Sequence, residues 1–361
     1  YSLAPFFMGY FQSLGIHSGQ IVWSGVTTPE LYREGATRGS IDPCYPSKLA
    51  IPHLHDLLYR RHAPDAPLTH IFFPVVDSLP TWLHGALANR SCPTCAATPE
   101  AAYAAFVKES NLFAEHGICF KKTFLNLDDP ALSGRQMFLD WASEIGVSER
   151  ESQRAVLAGL TALANFEAER RHEGRAVLDR LESEGRLGIV LLARPYHHDP
   201  GINHGIPEAL QKLGYPVLTI DNLPVDADIL DALFGEELAR GEIDSPLSVG
   251  DVWKNSYAEN GSRKLWAAKF VARHPNLVGL ELSNFKCGHD APIYSAVEQI
   301  VEATGTPFFY FKEIDENRPY GTFKIRFETI AYFLERFGRQ IPAETGLDSD
   351  EKPESGTTAV A

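Results

Sequence analysis

Cysteine is scarce in this chain, with five in 361 residues, and methionine scarcer still, with two. Five thiols cannot staple a chain of this length, and an odd number leaves one unpaired in any case, so a secreted disulfide scaffold is excluded. The pattern reads as reduced thiols in a cytoplasmic protein, where clustered cysteine points to metal or redox chemistry. Positive charge is also short: 33 Lys and Arg stand against 47 Asp and Glu, a formal net charge of −14. A nucleic-acid footprint needs a basic face and is not expected. No apolar run approaches the length of a membrane span, and no charged, apolar and cleavage-site sequence of a leader opens the chain. No G-x-x-x-x-G-K-[ST] and no G-x-G-x-x-G occurs, which disfavours a P-loop or the usual dinucleotide site.

What is present is ordinary globular material, 44% hydrophobic and 22% charged, enough for two or three domains. The first residue is Tyr1, already inside a helix-like run, so the chain is expected to start within a structural unit continued upstream. Residues 1–129 alternate apolar runs with helix signals: strands are expected at 20–25, 69–79 and 120–127, with 69–79 buried on both faces. Helices are expected after Thr28–Pro29, over 46–62 with a break or kink at Pro52, and from Thr98–Pro99. Residues 130–185 carry Val156, Leu160 and Leu163 at helical spacing and read as long connecting helices. Alternation resumes over 186–340, with strands near 186–192, 215–221, 276–285 and 307–314. Strand–helix alternation implies parallel βαβ units. The fold class is therefore α/β, two halves on a helical joint, followed by a polar, acidic tail over 341–361 that reads as disordered.

Ligands of open α/β sheets bind beyond the carboxyl ends of the strands. Four features fall there or at helix starts: Cys44, the Cys92-Pro-Thr-Cys95 loop, Cys287, and the segment 194–205 with Arg194, His197, His198 and His204. Each cysteine alone would read as a buried core residue. Together, Cys44, Cys92 and Cys287 read as ligands of an iron–sulfur centre with one iron left open. Cys92 and Cys95 also have the spacing of a redox dithiol. Arg194 and the three histidines are candidates to bind an anion or move protons.

The stretches "DPCYPSKLAIPHLHDLL", "NRSCPTCAATPEAA", "ARPYHHDPGINHGIPEALQKLGYPVLT" and "KLWAAKFVARHPNLVGLELSNFKCGHDAPIYSAVEQI" resemble the benzoyl-CoA reductase / 2-hydroxyacyl-CoA dehydratase family. More closely, they resemble the cysteine-bearing region of large fused proteins related to acyl-CoA dehydratase activases. The resemblance runs from about 20 to 338. It implies two Rossmann-like halves with a [4Fe–4S] cluster in the cleft, held by Cys44, Cys92 and Cys287. It also implies a low-potential reductase or dehydratase component that passes electrons to a bound small molecule such as a CoA thioester. Those electrons would come from an ATP-hydrolysing activator of actin-like fold, fused upstream. A second copy of the chain is a candidate partner. Five cysteines are fewer than double-cubane relatives use, which favours the single cluster, although Cys119 leaves the larger one open. Two other readings stand beside this one: an electron relay or regulatory module without its own substrate, and a dithiol oxidoreductase using Cys92 and Cys95. Gly288 is expected to make room for a cluster beside Cys287.

Overall fold

The computed structural model describes residues 1–38, 44–284, 286–315 and 320–339. The expected tail at 341–361 lies outside the described residues. The chain is α/β with small parallel sheets.

Helix α1 (Ala4–Ser13) is followed by α2 (Pro29–Gly35), which Thr28 caps by accepting from the Leu31 amide at 3.1 Å. No strand forms over 20–25; a short 3-10 turn at Ser18–Gln20 leads into irregular backbone. That apolar run instead lines a cavity, where side-chain contact rather than a sheet ladder uses it. Helix α3 (Tyr45–Asp56) runs through Pro52, against expectation, and ends in a wider π turn at Leu57–Arg61. Proline costs a helix one hydrogen bond, but Leu49, Ile51 and Leu54 around it are core residues whose burial outweighs the loss.

The run over 69–79 is not one doubly buried strand. Pro74, which has no amide hydrogen, divides it into β1 (His70–Phe72) and β2 (Val75–Ser78), and both are only half-buried. Helix α4 (Pro93–Val107) begins earlier than expected, with Cys92 at its N-cap and Pro99 inside it. After α5 (Leu112–Glu115) come β3 (Cys119–Lys121) and β4 (Phe124–Asn126). β1 pairs in parallel with β3, and β2 with β4. The described residues of this half thus hold two two-stranded pieces rather than one continuous Rossmann-like sheet.

The helices expected over 130–185 are α6 (Pro130–Ile145) and the 36-residue α7 (Glu149–Glu184). A Ser148–Glu151 capping box starts α7, and left-handed Gly185 ends it. Glycine lets α7 touch both halves. A Cβ at Gly159 would lie 2.6 Å from the Phe6 carbonyl on α1, and one at Gly174 would lie 1.7 Å from the carbonyl oxygen of Asn222.

The second half matches expectation closely. Strand β5 (Gly188–Leu192), helix α8 (Ile206–Lys212), β6 (Val217–Thr219), α9 (Ala227–Ala239), α10 (Glu259–Arg273) and β7 (Leu277–Leu282) follow in order. Then come α11 (Tyr294–Glu302), β8 (Phe308–Phe311) and α12 (Tyr320–Gly338). The four strands form one parallel sheet, ordered β6-β5-β7-β8. Every residue of β5 and β7 is buried, which is why these strands read as continuous apolar runs. One core packs Leu265, Trp266 and Phe270 of α10 against one face, and a second packs Ile206, Leu210 and Leu334 against the other. Strand order reverses between β5 and β7, and a sheet opens its binding crevice at that point. Arg194 follows β5 and Cys287 follows β7.

Candidate functional site

A cavity of about 1010 Å³ lies where the two halves meet, and Cys44, Cys92, Cys95 and Cys287 all stand on its wall with Arg194. All five cysteines of the chain are free thiols. Local structure explains each placement. Cys44 caps α3 and Cys92 caps α4, so backbone amides of a first helical turn point towards both sulfurs. Ser47 donates to Cys44 from its amide and its hydroxyl, and its Oγ lies 2.9 Å from Thr98 Oγ1 on α4, joining the two helix starts. Cys287 sits in a turn closed by its own amide to the Asn284 carbonyl at 2.8 Å. Gly288 is not a close approach: a Cβ there would meet nothing within 4 Å.

The thiols sense one another. Burial raises the Cys44 pKa above the ordinary thiol range, and the nearby charges of Cys287 and Cys92 add to the rise. Cys92 moves the other way. A hydrogen bond from the Cys95 thiol lowers it most, helped by the amides of Cys95 and Thr94 and by His289. Cys95, the donor, is raised by that same bond and by burial. It is surrounded by protein yet open to the cavity lumen. Cys92 is therefore the thiolate of the group and Cys95 its neutral donor. Cys95→Ala should raise the Cys92 pKa and slow alkylation of Cys92 by iodoacetamide roughly fivefold at neutral pH. In the unaltered protein reactivity should persist as pH falls and drop only through the lowered pKa. In the variant the drop should begin at higher pH, as peptide mapping would show.

Behind the thiols lies a buried charge network. Arg194 Nε donates to Asp290 Oδ1 at 2.7 Å, Lys264 Nζ lies 3.0 Å from Asp290 Oδ2, and Ser283 donates to the same carboxylate at 2.5 Å. Burial opposes charge at both ends of the Arg194–Asp290 pair. The facing charge outweighs it, so Arg194 is held above its usual range and Asp290 below the usual carboxylate range. Arg194 Nη2 is buried with no hydrogen-bond partner among the described residues. That guanidinium also feels Cys287 and Cys95.

The three histidines do not join Arg194 on the cavity wall. His197 is buried and neutral, its pKa lowered to about 3 by burial and by Lys264, and its Nδ1 accepts from the Arg194 amide at 3.3 Å. His198 pairs with Asp221 at 3.0 Å, beside a crevice of about 30 Å³. His204 adopts a φ of 56° and its Nε2 lies 2.8 Å from the Asp315 carbonyl oxygen, stacking on Tyr45. These side chains shape the loop, and only Arg194 reaches the thiols' side.

Three residues not anticipated from sequence join the loops across the cavity. Thr27 Oγ1 donates to Asp199 Oδ2 at 2.9 Å and lies 3.0 Å from His53 Nε2, whose other nitrogen meets Ser24. Gly201 permits this approach, since a Cβ would fall 2.0 Å from the Thr27 carbonyl oxygen. Nothing in the spacing of positions 27, 53 and 199 signals the contact. Cys95 was visible as the i+3 partner of Cys92. Cys119 is in β3 and is not among the residues on this wall.

The donor chemistry defines a cysteine-lined crevice of an α/β protein. Residues 1–223 match the family model described as the CoA enzyme activase uncharacterised domain (DUF2229). The match covers more than half of the chain, which belongs to that family. No curated protein and no solved structure matches it. The family corrects the resemblance drawn from the cysteine and histidine motifs: the chain falls with CoA enzyme activases, not with the reductase or dehydratase component. The reductase, electron-relay and dithiol-oxidoreductase readings are withdrawn with it, and so is an activator as a separate fused partner. No described helix is long and apolar enough to cross a membrane.

Proposed function

We propose that this chain acts as an ATP-dependent activator of a CoA-dependent enzyme, an acyl-CoA dehydratase being the partner class, in the reducing cytoplasm. The observation that carries the reading is the convergence of four thiols, from positions 44, 92, 95 and 287, on one cavity wall beside Arg194. The segment 186–340, with its four-stranded parallel sheet, is read as a Rossmann-like unit, and 1–129 as a smaller α/β unit, joined by 130–185 with the crevice between them.

The donor set fits a [4Fe–4S] cluster held by Cys44, Cys92 and Cys287. Among the described residues these three sulfurs do not form a group close enough for a single ion. A four-iron cluster, whose ligands grip different corners, sets its thiolates further apart. The unpartnered Arg194 Nη2 supplies a buried donor and positive charge for an anionic group. Such a cluster supplies one-electron chemistry when bound. The chain's own residues hold Cys92 as a thiolate, keep Cys95 protonated beside it, and fix Arg194 through Asp290.

The test is anaerobic reconstitution followed by iron and sulfide analysis, and then an assay of a partner acyl-CoA dehydratase with and without ATP. Stoichiometric iron and ATP-dependent gain of partner activity are expected. An iron-free protein that activates fully would overturn the cluster assignment, and an iron-loaded protein that never activates would overturn the activator reading.

A further inference from the structure

The fifth cysteine has a separate set of neighbours. His70 on β1 and Cys119 on β3 are register partners in a parallel pair, so their side chains emerge side by side on one face. Glu144 arrives from the last turn of α6. One ligand atom from each, an imidazole nitrogen, a thiol sulfur and a carboxylate oxygen, lies within 4.8 Å of the other two. Zinc takes this mixture of nitrogen, sulfur and oxygen donors, whereas magnesium and calcium would not choose the thiol. Cys119 is exposed, so packing does not account for it.

We propose that His70, Cys119 and Glu144 form a Zn²⁺ site at the rim of the cavity, with three protein ligands and an open fourth position. The surroundings are arranged for it. His70 Nδ1 lies 3.0 Å from Thr69 Oγ1, and the ring leans on Trp141 with centroids 5.3 Å apart. These contacts hold the ring in place beside Cys119. Lys121 Nζ donates to Glu144 Oε1 at 2.5 Å and to the Asp140 carbonyl at 2.9 Å. It is a positive charge beside the carboxylate that competes with the ion. His70 and Glu144 also line the large cavity, so a ligand there can reach the fourth position. Binding deprotonates Cys119: Zn²⁺ and the thiol give a zinc thiolate and one released proton.

Cobalt, which takes the same geometry, reads the site directly. EDTA-treated full chain titrated with Co²⁺ should show a thiolate-to-cobalt charge-transfer band at one equivalent, displaced by Zn²⁺. Cys119→Ser should abolish the band, and His70→Ala should weaken cobalt binding by more than about tenfold. Cys287→Ser should leave that band intact, and Lys121→Ala should tighten Zn²⁺ binding by removing the competitor. Circular dichroism of each metal-free variant checks that the fold is retained. A band at full strength in Cys119→Ser, unaltered affinity in His70→Ala, or loss only with the cavity cysteines would overturn the assignment.

Discussion

Serine at Cys44, Cys92 or Cys287 is expected to cut the iron retained after anaerobic reconstitution at least about tenfold, while serine at Cys95 leaves most of it. The magnitude follows from metal sites, where loss of a supporting partner alone costs about 10–100-fold in affinity, and loss of a ligand costs no less. The ordering follows from this cavity. Cys44 and Cys92 cap helices, so their sulfurs already face backbone amides, and Cys287 lies at the crevice between β5 and β7. Cys95 instead spends its proton on Cys92. Iron, sulfide and the visible absorption of each variant measure the effect. Iron undiminished from the parent in all four variants would sink the ligand assignment. A Cys95 variant as depleted as the other three would make Cys95 the fourth ligand.

Asp290→Asn is expected to destabilise the fold by about 3–5 kcal/mol, the usual loss when one partner of a buried ion pair is removed. Asp290 is fully buried and faces both Arg194 and Lys264. Lys264 also meets Glu281 at 3.1 Å, and Lys312 lies 3.6 Å from that carboxylate, so the network keeps some compensation. Denaturant unfolding measures the change. Its pH dependence has a defined sign. The folded carboxyl is held below its usual range, so its contribution is present above the unfolded pKa of about 3.9 and fades as pH falls through the folded value. The gap between the two proteins should therefore be constant at neutral pH and close in acid. A variant as stable as the parent at pH 7 would show the network to be dispensable.

Sequence and structure agree best where burial is symmetrical. β5 and β7 are covered on both faces, so they read as near-continuous apolar runs, broken only by Glu281, which Lys264 neutralises. They diverge around 69–79, where Pro74 breaks an apolar run into two short strands, and at 20–25, where an apolar stretch serves a cavity instead of a sheet. Pro52 went the other way, because the core around α3 outweighs one missing hydrogen bond. The motifs located the cysteine-bearing loops but not the family, which the match over residues 1–223 supplied.

By itself, the sequence determined the α/β class, the long helices over 130–185 and the placing of thiols at helix starts and strand ends. These depend on periodicity and on local capping, which neighbouring residues control. Only the tertiary structure decided that Cys44, Cys92, Cys95 and Cys287 share one wall, that Arg194 joins them while the histidines do not, and that Cys119 meets His70 and Glu144 at the rim of the same cavity. Those meetings come from strand order, register and the glycines of α7. They join residues far apart in the chain, a relation that spacing along one sequence does not carry.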